Sequence, residues 1–130
     1  MRLATWNINS VRLRLPYVLR FIKDYNIDVM CLQETKSPDQ FFPLNEFKHY
    51  GMDYYYFRGE KSYNGVAILS KVPIIKKKFI NWCGFNDTRH ISVLLKNKIT
   101  LHNFYVPAGG DIPDEKKNSK FEHKIKFVKE

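Results

Sequence analysis

The stretch from Asp28 to Lys36, DVMCLQETK, constrains this chain most. It is apolar from Val29 through Leu32, then turns polar at Gln33, Glu34 and Thr35 before Lys36. Such a run reads as a buried strand that ends in a carboxylate. In open α/β sheets the carboxyl end of a strand opens onto the crevice where ligands bind. A carboxylate at that lip costs free energy unless a cation or a donor pairs with it, so a metal ion or a basic neighbour is expected beside Glu34. Taken alone, Glu34 reads more simply as a surface residue closing a strand.

The residues before it supply a partner. Arg2 to Ile8 form a first strand, with Leu3, Ala4, Trp6 and Ile8 as its apolar surface, ending in Asn7, Asn9 and Ser10. Leu15, Val18, Leu19, Ile22 and Tyr25 then fall at helical spacing, with Pro16 expected in the first turn and Asn26 at the exit. Strand, helix and strand over about 33 residues make a βαβ unit whose two strands run parallel. Parallel neighbours end on the same edge, so Asn7 and Glu34 should lie side by side. An amide and a carboxylate together suit a hard cation that takes oxygen ligands.

A short helix is expected from Pro43 to Tyr50, stopped by Gly51. Tyr54–Arg58 and Val66–Ser70 read as an antiparallel pair joined by a loop with an Asn64-Gly65 turn signal. Tyr63 rides on that loop, as a packing aromatic or one that faces a ligand. Further strands are expected over Ile74–Ile80, Arg89–Leu95 and Ile99–Tyr105, with a tight turn at Lys96-Asn97-Lys98. Pro107 to Pro113 is a loop, and a last helix from about Asn118 should present Phe121, Ile125 and Val128 on one face.

Composition narrows the class. At 44% hydrophobic and 15% aromatic residues, the chain can build a core and is not of the disordered type. No apolar run approaches the ~20 residues of a membrane span, and MRLATWNINSVR lacks the apolar core of a signal peptide. Cys31 and Cys83 have no metal-ligand spacing and read as reduced thiols, which points to the cytoplasm. The 22 Lys+Arg against 13 Asp+Glu leave a formal +9, which favours a polyanionic partner, although the lysine runs also suit solvated faces.

TWNIN at 5–9, LQETK at 32–36, YNGVAILSK at 63–71, TRHISV at 88–93 and NFYVP at 103–107 follow one another in an order and spacing that resembles exonuclease III. This is the DNA-repair nuclease family that includes the apurinic/apyrimidinic endonucleases, within the endonuclease/exonuclease/phosphatase superfamily. The resemblance implies an α/β fold of the DNase I-like kind, a four-layer α/β sandwich. Two mixed sheets would be incompletely built here, the first over about residues 1–71 and the second begun over about 74–130. It implies Mg²⁺-dependent phosphodiester hydrolysis at abasic sites and 3′ ends, with Mn²⁺ as an alternative metal and double-stranded DNA as the partner. By the same resemblance Asn7 and Glu34 are the metal-site residues, and Tyr105 is the catalytic tyrosine facing the scissile phosphate. Arg89 and Tyr63 contact the substrate. His90 and His102 are expected to be structural.

The chain departs from the family pattern at three places. Asn9 stands where some relatives have Asp, which would weaken metal binding. Ala108 follows Pro107 where others carry a polar amide, removing one phosphate contact. Neither a Gly-Asp-x-Asn motif nor an Asp-His pair occurs, and in the family these orient and deprotonate the attacking water. Residues 1–130 are therefore expected to be a truncated, amino-terminal part of the domain, inactive alone and served by a separately encoded carboxy-terminal half. The alternatives are a non-catalytic nucleic-acid-binding module or an inactive remnant.

Overall fold

The computed structural model describes all of residues 1–130. The first strand, β1 (Leu3–Asn7), leads into helix α1 (Val11–Asp24) and then β2 (Val29–Gln33). β1 and β2 are parallel, with Asn7 opposite Gln33, as the βαβ reading requires. A single 3-10 turn (Asp39–Phe41) and helix α2 (Leu44–His49) precede β3 (Tyr54–Arg58) and β4 (Val66–Ser70). β4 inserts antiparallel between β2 and β3, giving a mixed sheet in the order β1-β2-β4-β3. The chain changes sheets between Ser70 and Ile74, and β5 (Ile74–Lys78), β6 (His90–Leu95) and β7 (Thr100–Phe104) form the second sheet in that order. These three strands are antiparallel throughout, so the second sheet is not mixed over these residues. Their connections are short or irregular, with none of the helical crossovers that parallel neighbours need. Helix α3 (Ser119–Lys129) follows.

Two cores account for the layering. Met30 and Leu32 of β2 and Ala67 and Leu69 of β4 point outward against Val18, Leu19 and Ile22 of α1 and Phe47 of α2. The alternate residues Val29, Cys31, Val66 and Ile68 point the other way and meet Ile91, Val93 and Leu95 of β6. β2 and β4 are covered on both faces, which is why their sequences are apolar without alternation. Outside the second sheet, Phe127 of α3 packs against Trp82 and Phe104, with ring centroids 5.8 and 6.2 Å apart. Helices, sheet, sheet and helix make four layers. The second sheet lies across β2, β4 and β3. On the β1 face that looks the same way, Leu3 remains 49% exposed, so the sandwich is incompletely covered there.

Two helix expectations are corrected. α1 begins at Val11, capped by Ser10, whose hydroxyl accepts from the Leu13 N–H. The apolar face starts with the buried Val11, so Pro16 lies a full turn inside the helix. There it removes the bond its nitrogen would have made to the Arg12 carbonyl. In α3 the buried anchor is Phe127, while Val128 points to solvent, because the aromatic surface of Trp82 and Phe104 selects that face. The Asn26 exit is as expected. Its φ of 51° is left-handed, and the Asn26 and Ile27 N–H groups bond back to the Lys23 and Ile22 carbonyls. No helix is long and apolar enough to cross a membrane.

Candidate active site

The parallel ladder of β1 and β2 does not stop at the strand ends. Ile8, Ser10 and Val11 N–H groups donate to the carbonyls of Gln33, Glu34 and Thr35, so the two loops leave the sheet together. A second set of bonds ties the same turn to later chain. Thr35 N–H donates to Gly65, Lys36 N–H to Asn64, and Gly65 N–H to Thr88. Gly65 is needed there: its φ is +94°, and a Cβ would sit 2.0 Å from the Thr35 hydroxyl. Asn9, Ser10, Glu34, Lys36, Asn64 and Thr88 all hold positive φ. Each such residue costs on the order of 1–3 kcal/mol, and strain of this kind concentrates where geometry serves function.

Glu34 is the centre of the arrangement. One carboxylate oxygen accepts from the Tyr105 phenol at 2.5 Å, and the other lies 3.7 Å from the Lys36 ammonium. Lys36 in turn donates to the Asn9 amide oxygen at 2.6 Å. Above all, the Tyr105 hydrogen bond holds the Glu34 carboxyl below the usual carboxylate range. Burial opposes that, while hydrogen bonding by Asn7 and the charge of Lys36 add to it. Burial pushes the Tyr105 phenol up, and its bond to Glu34 and the charge there push the same way. The phenol is therefore a donor at neutral pH.

Glu34 thus contributes stability above the ordinary carboxylate range, and this is lost as pH falls through its lowered folded value. The Tyr105 contribution has the opposite sense: it is present below the ordinary phenol range and lost as pH rises through the raised folded value. Tyr105→Phe is expected to shift the Glu34 titration upward, toward that of an ordinary carboxyl, as read by ¹³C NMR of the side-chain carboxyl. An unmoved titration would show that the phenol does not set it.

Arg89 lies beside this pair. Its guanidinium sits 4.8 Å from the centre of the Tyr105 ring, donates to the Tyr105 carbonyl at 3.3 Å, and is held by Asp87 at 2.6 Å. Asn7, Glu34, Tyr105 and Arg89 are thus brought together from four points of the chain. Tyr63 stands apart on its loop, 70% exposed, but lines a cleft of about 340 Å³ with Arg89 and Tyr105. His90 is engaged within the fold: its Nδ1 accepts from Ile80 N–H and its Nε2 meets His102 Nδ1 at 3.0 Å. Burial, foremost, lowers its pKa to about 4, so it stays neutral.

The sequence reading did not single out Lys36 or Asp87 as site residues, nor the structural role of Asn103. Asn103 is buried between the sheets, where its amide donates to the Leu32 and Ala67 carbonyls and accepts from Gln33. The available signal was a polar residue at an inward position of β7, between Leu101 and Tyr105. The hard oxygen donors at the site are Glu34 and Asn7, and no group of three His, Cys, Asp or Glu side chains lies together anywhere. That donor set fits Mg²⁺, which takes one or two carboxylates and fills its remaining positions with water and substrate phosphate oxygens.

The model of the endonuclease/exonuclease/phosphatase family matches residues 4–124, nearly the whole chain. The chain belongs to the endonuclease/exonuclease/phosphatase family. Among curated members, exodeoxyribonuclease III of Haemophilus influenzae is 31% identical over 98% of this chain and 48% of its own length. An exodeoxyribonuclease of Bacillus subtilis is 34% identical over 55% of this chain and 28% of its own. Two solved structures extend the likeness to the fold. An AP endonuclease from Archaeoglobus fulgidus superposes with a TM-score of 0.86 at 33% identity, over 99% of this chain and 49% of that one. A 3′ phosphatase from Neisseria, bound to a product DNA hairpin, superposes at 0.87 and 29% identity over the same shares. The chain spans about half the length of the Haemophilus protein and of both solved structures.

Proposed function

We propose that this chain contributes the first half of a DNA-repair nuclease site that hydrolyses phosphodiesters at abasic sites and 3′ ends. The observation that supports it most is the Tyr105 phenol donating to Glu34 beside Asn7, one hydrogen-bond donor and two hard oxygen ligands meeting at a sheet edge. Glu34 and Asn7 would hold Mg²⁺, or Mn²⁺ in its place, and the metal when bound would neutralise charge that develops on the phosphate. Tyr105 would turn its proton toward a phosphate oxygen, a contact worth most when aimed at charge that grows in the transition state. Tyr105 foremost, with Asn7 and then Lys36 adding to it, favours the ionised form of Glu34, and Asn9 fixes Lys36 in place. Arg89 and Tyr63 would face the DNA backbone from the adjoining cleft. The compartment we propose is the cytoplasm, where Cys31 and Cys83, both unpaired, remain reduced.

A binding module without turnover is the second reading, and one feature favours it. Two acid–base groups near the site are tied up within the fold: Asp87 is paired with Arg89, and His90 is bonded to Ile80 and His102. Both readings require DNA affinity, which a fluorescence titration against duplex DNA across a salt series tests. Roughly four to six phosphate contacts would give a slope of log K against log salt of about −4 to −5. Arg89→Ala should flatten the slope by at least about one, since it removes a cation and also exposes Asp87. A flat salt response would leave the +9 charge as a solvated face and sink both readings.

A further inference from the structure

We propose that Lys120 binds an internucleotide phosphate of DNA other than the one faced by Tyr105. The inference rests on the DNA-binding reading above and adds a residue and a position to it. The cleft next to the site is lined by Tyr63, Arg89 and Tyr105 and, from the loop and helix beyond, by Ala108, Lys120 and His123. No carboxylate lines it. Arg89 is largely neutralised by Asp87 at 2.6 Å, whereas Lys120 has no acidic partner. Lys126, two turns further along the same helix, does have one in Glu122 at 2.8 Å. Lys120 is therefore the cleft's uncompensated cation.

Its placement is built rather than incidental. Asn118 caps α3 by accepting from the Lys120 N–H at 3.1 Å, and its amide donates to the Gly109 and Ile112 carbonyls at 2.9 and 2.8 Å. These bonds tie the first turn of α3 to the loop that continues directly from Tyr105. Gly109 permits the approach: its φ is +84°, and a Cβ there would lie 2.8 Å from Lys124 Cδ. Ala108, on the same loop, offers no polar side chain. A flexible ammonium on a fixed turn suits a phosphate approached as a point charge, and it lines the same cleft as Ala108, whose side chain offers no polar group.

The test is fluorescence anisotropy of the full chain on a panel of short duplexes, each with one phosphate replaced by a neutral methylphosphonate. Lys120→Ala is expected to reduce the salt slope by about one. That loss should vanish on one duplex only, at a different position from the one where Tyr105→Phe ceases to matter. Lys120→Arg should keep the slope, and Lys129→Ala, outside the cleft, should couple to no single phosphate. If the unaltered chain shows salt-dependent binding but Lys120→Ala leaves the slope unchanged, or weakens every duplex alike, the Lys120 site is overturned while the DNA-binding reading stands. Should inorganic phosphate displace DNA more than chloride at matched ionic strength, and only when Lys120 is present, the site belongs to free phosphate and the proposal fails. An unaltered chain with no salt-dependent binding overturns the DNA-binding reading and this inference together.

Discussion

With Mg²⁺ present, the 130-residue chain alone is expected to leave an abasic-site duplex uncut at any rate above background. Hydrolysis needs a group that takes the proton of the attacking water, and general base catalysis of this kind contributes typically 10²–10⁴-fold. Four groups at or beside the site are each committed elsewhere. Glu34 is held below its usual range, foremost by the Tyr105 phenol, so it is a weak base suited to holding a cation. The phenol is itself pushed up and remains protonated. Lys36 is a cation bonded to Asn9, and His90 is sealed between Ile80 and His102 with its pKa lowered to about 4. Mixing the chain with the carboxy-terminal half of a relative is expected to yield cleavage, and Glu34→Ala in this chain to abolish it. Robust turnover by the pure chain alone, lost in Glu34→Ala, would show that a base has been overlooked and would overturn this reading of the site.

The parts of this molecule legible in its sequence are those set by short-range patterning. Val29–Gln33 and Val66–Ser70 are buried on both faces, so their apolar runs announced them, and the Tyr54–Arg58 strand was bounded by turn residues on either side. Asn7 beside Glu34 followed from the parallel pairing alone. Tyr105 and Arg89 did not. Their meeting with Glu34 depends on how the second sheet lies over the first, a relation between residues some seventy positions apart that no local pattern carries. The α3 face was misjudged for a similar reason. Helical spacing gave the stripe Phe121, Ile125 and Val128, whereas the face that packs is set by Trp82 and Phe104, which lie outside the helix.

Asn103→Leu is expected to lower stability by about 2–4 kcal/mol, the largest effect foreseen for a single substitution outside the site. Asn103 is 2% exposed and reaches from β7 across to both central strands of the first sheet. Its amide donates to the Leu32 and Ala67 carbonyls at 3.0 and 2.9 Å, and its oxygen accepts from Gln33 Nε2 at 2.7 Å, which also donates to Thr5. Leucine matches the volume but offers neither donor nor acceptor, so buried polar atoms on β2 and β4 lose partners that water cannot replace. Asn103→Asp should be at least as damaging, because it sets a carboxylate against two carbonyl oxygens. For a chain of this size the loss corresponds to a melting temperature lower by on the order of 10 °C. Because Asn103 is on β7 and Tyr105 follows the end of that strand two residues later, loosening Asn103 should also let the Tyr105–Glu34 bond lengthen. The Glu34 carboxyl should then titrate higher in Asn103→Leu, though Glu34 and Tyr105 are untouched. Urea and thermal melts together with the carboxyl titration check both halves. A variant that melts with the unaltered chain would mean that the apolar layer between the sheets, not this amide, fixes how they register on each other.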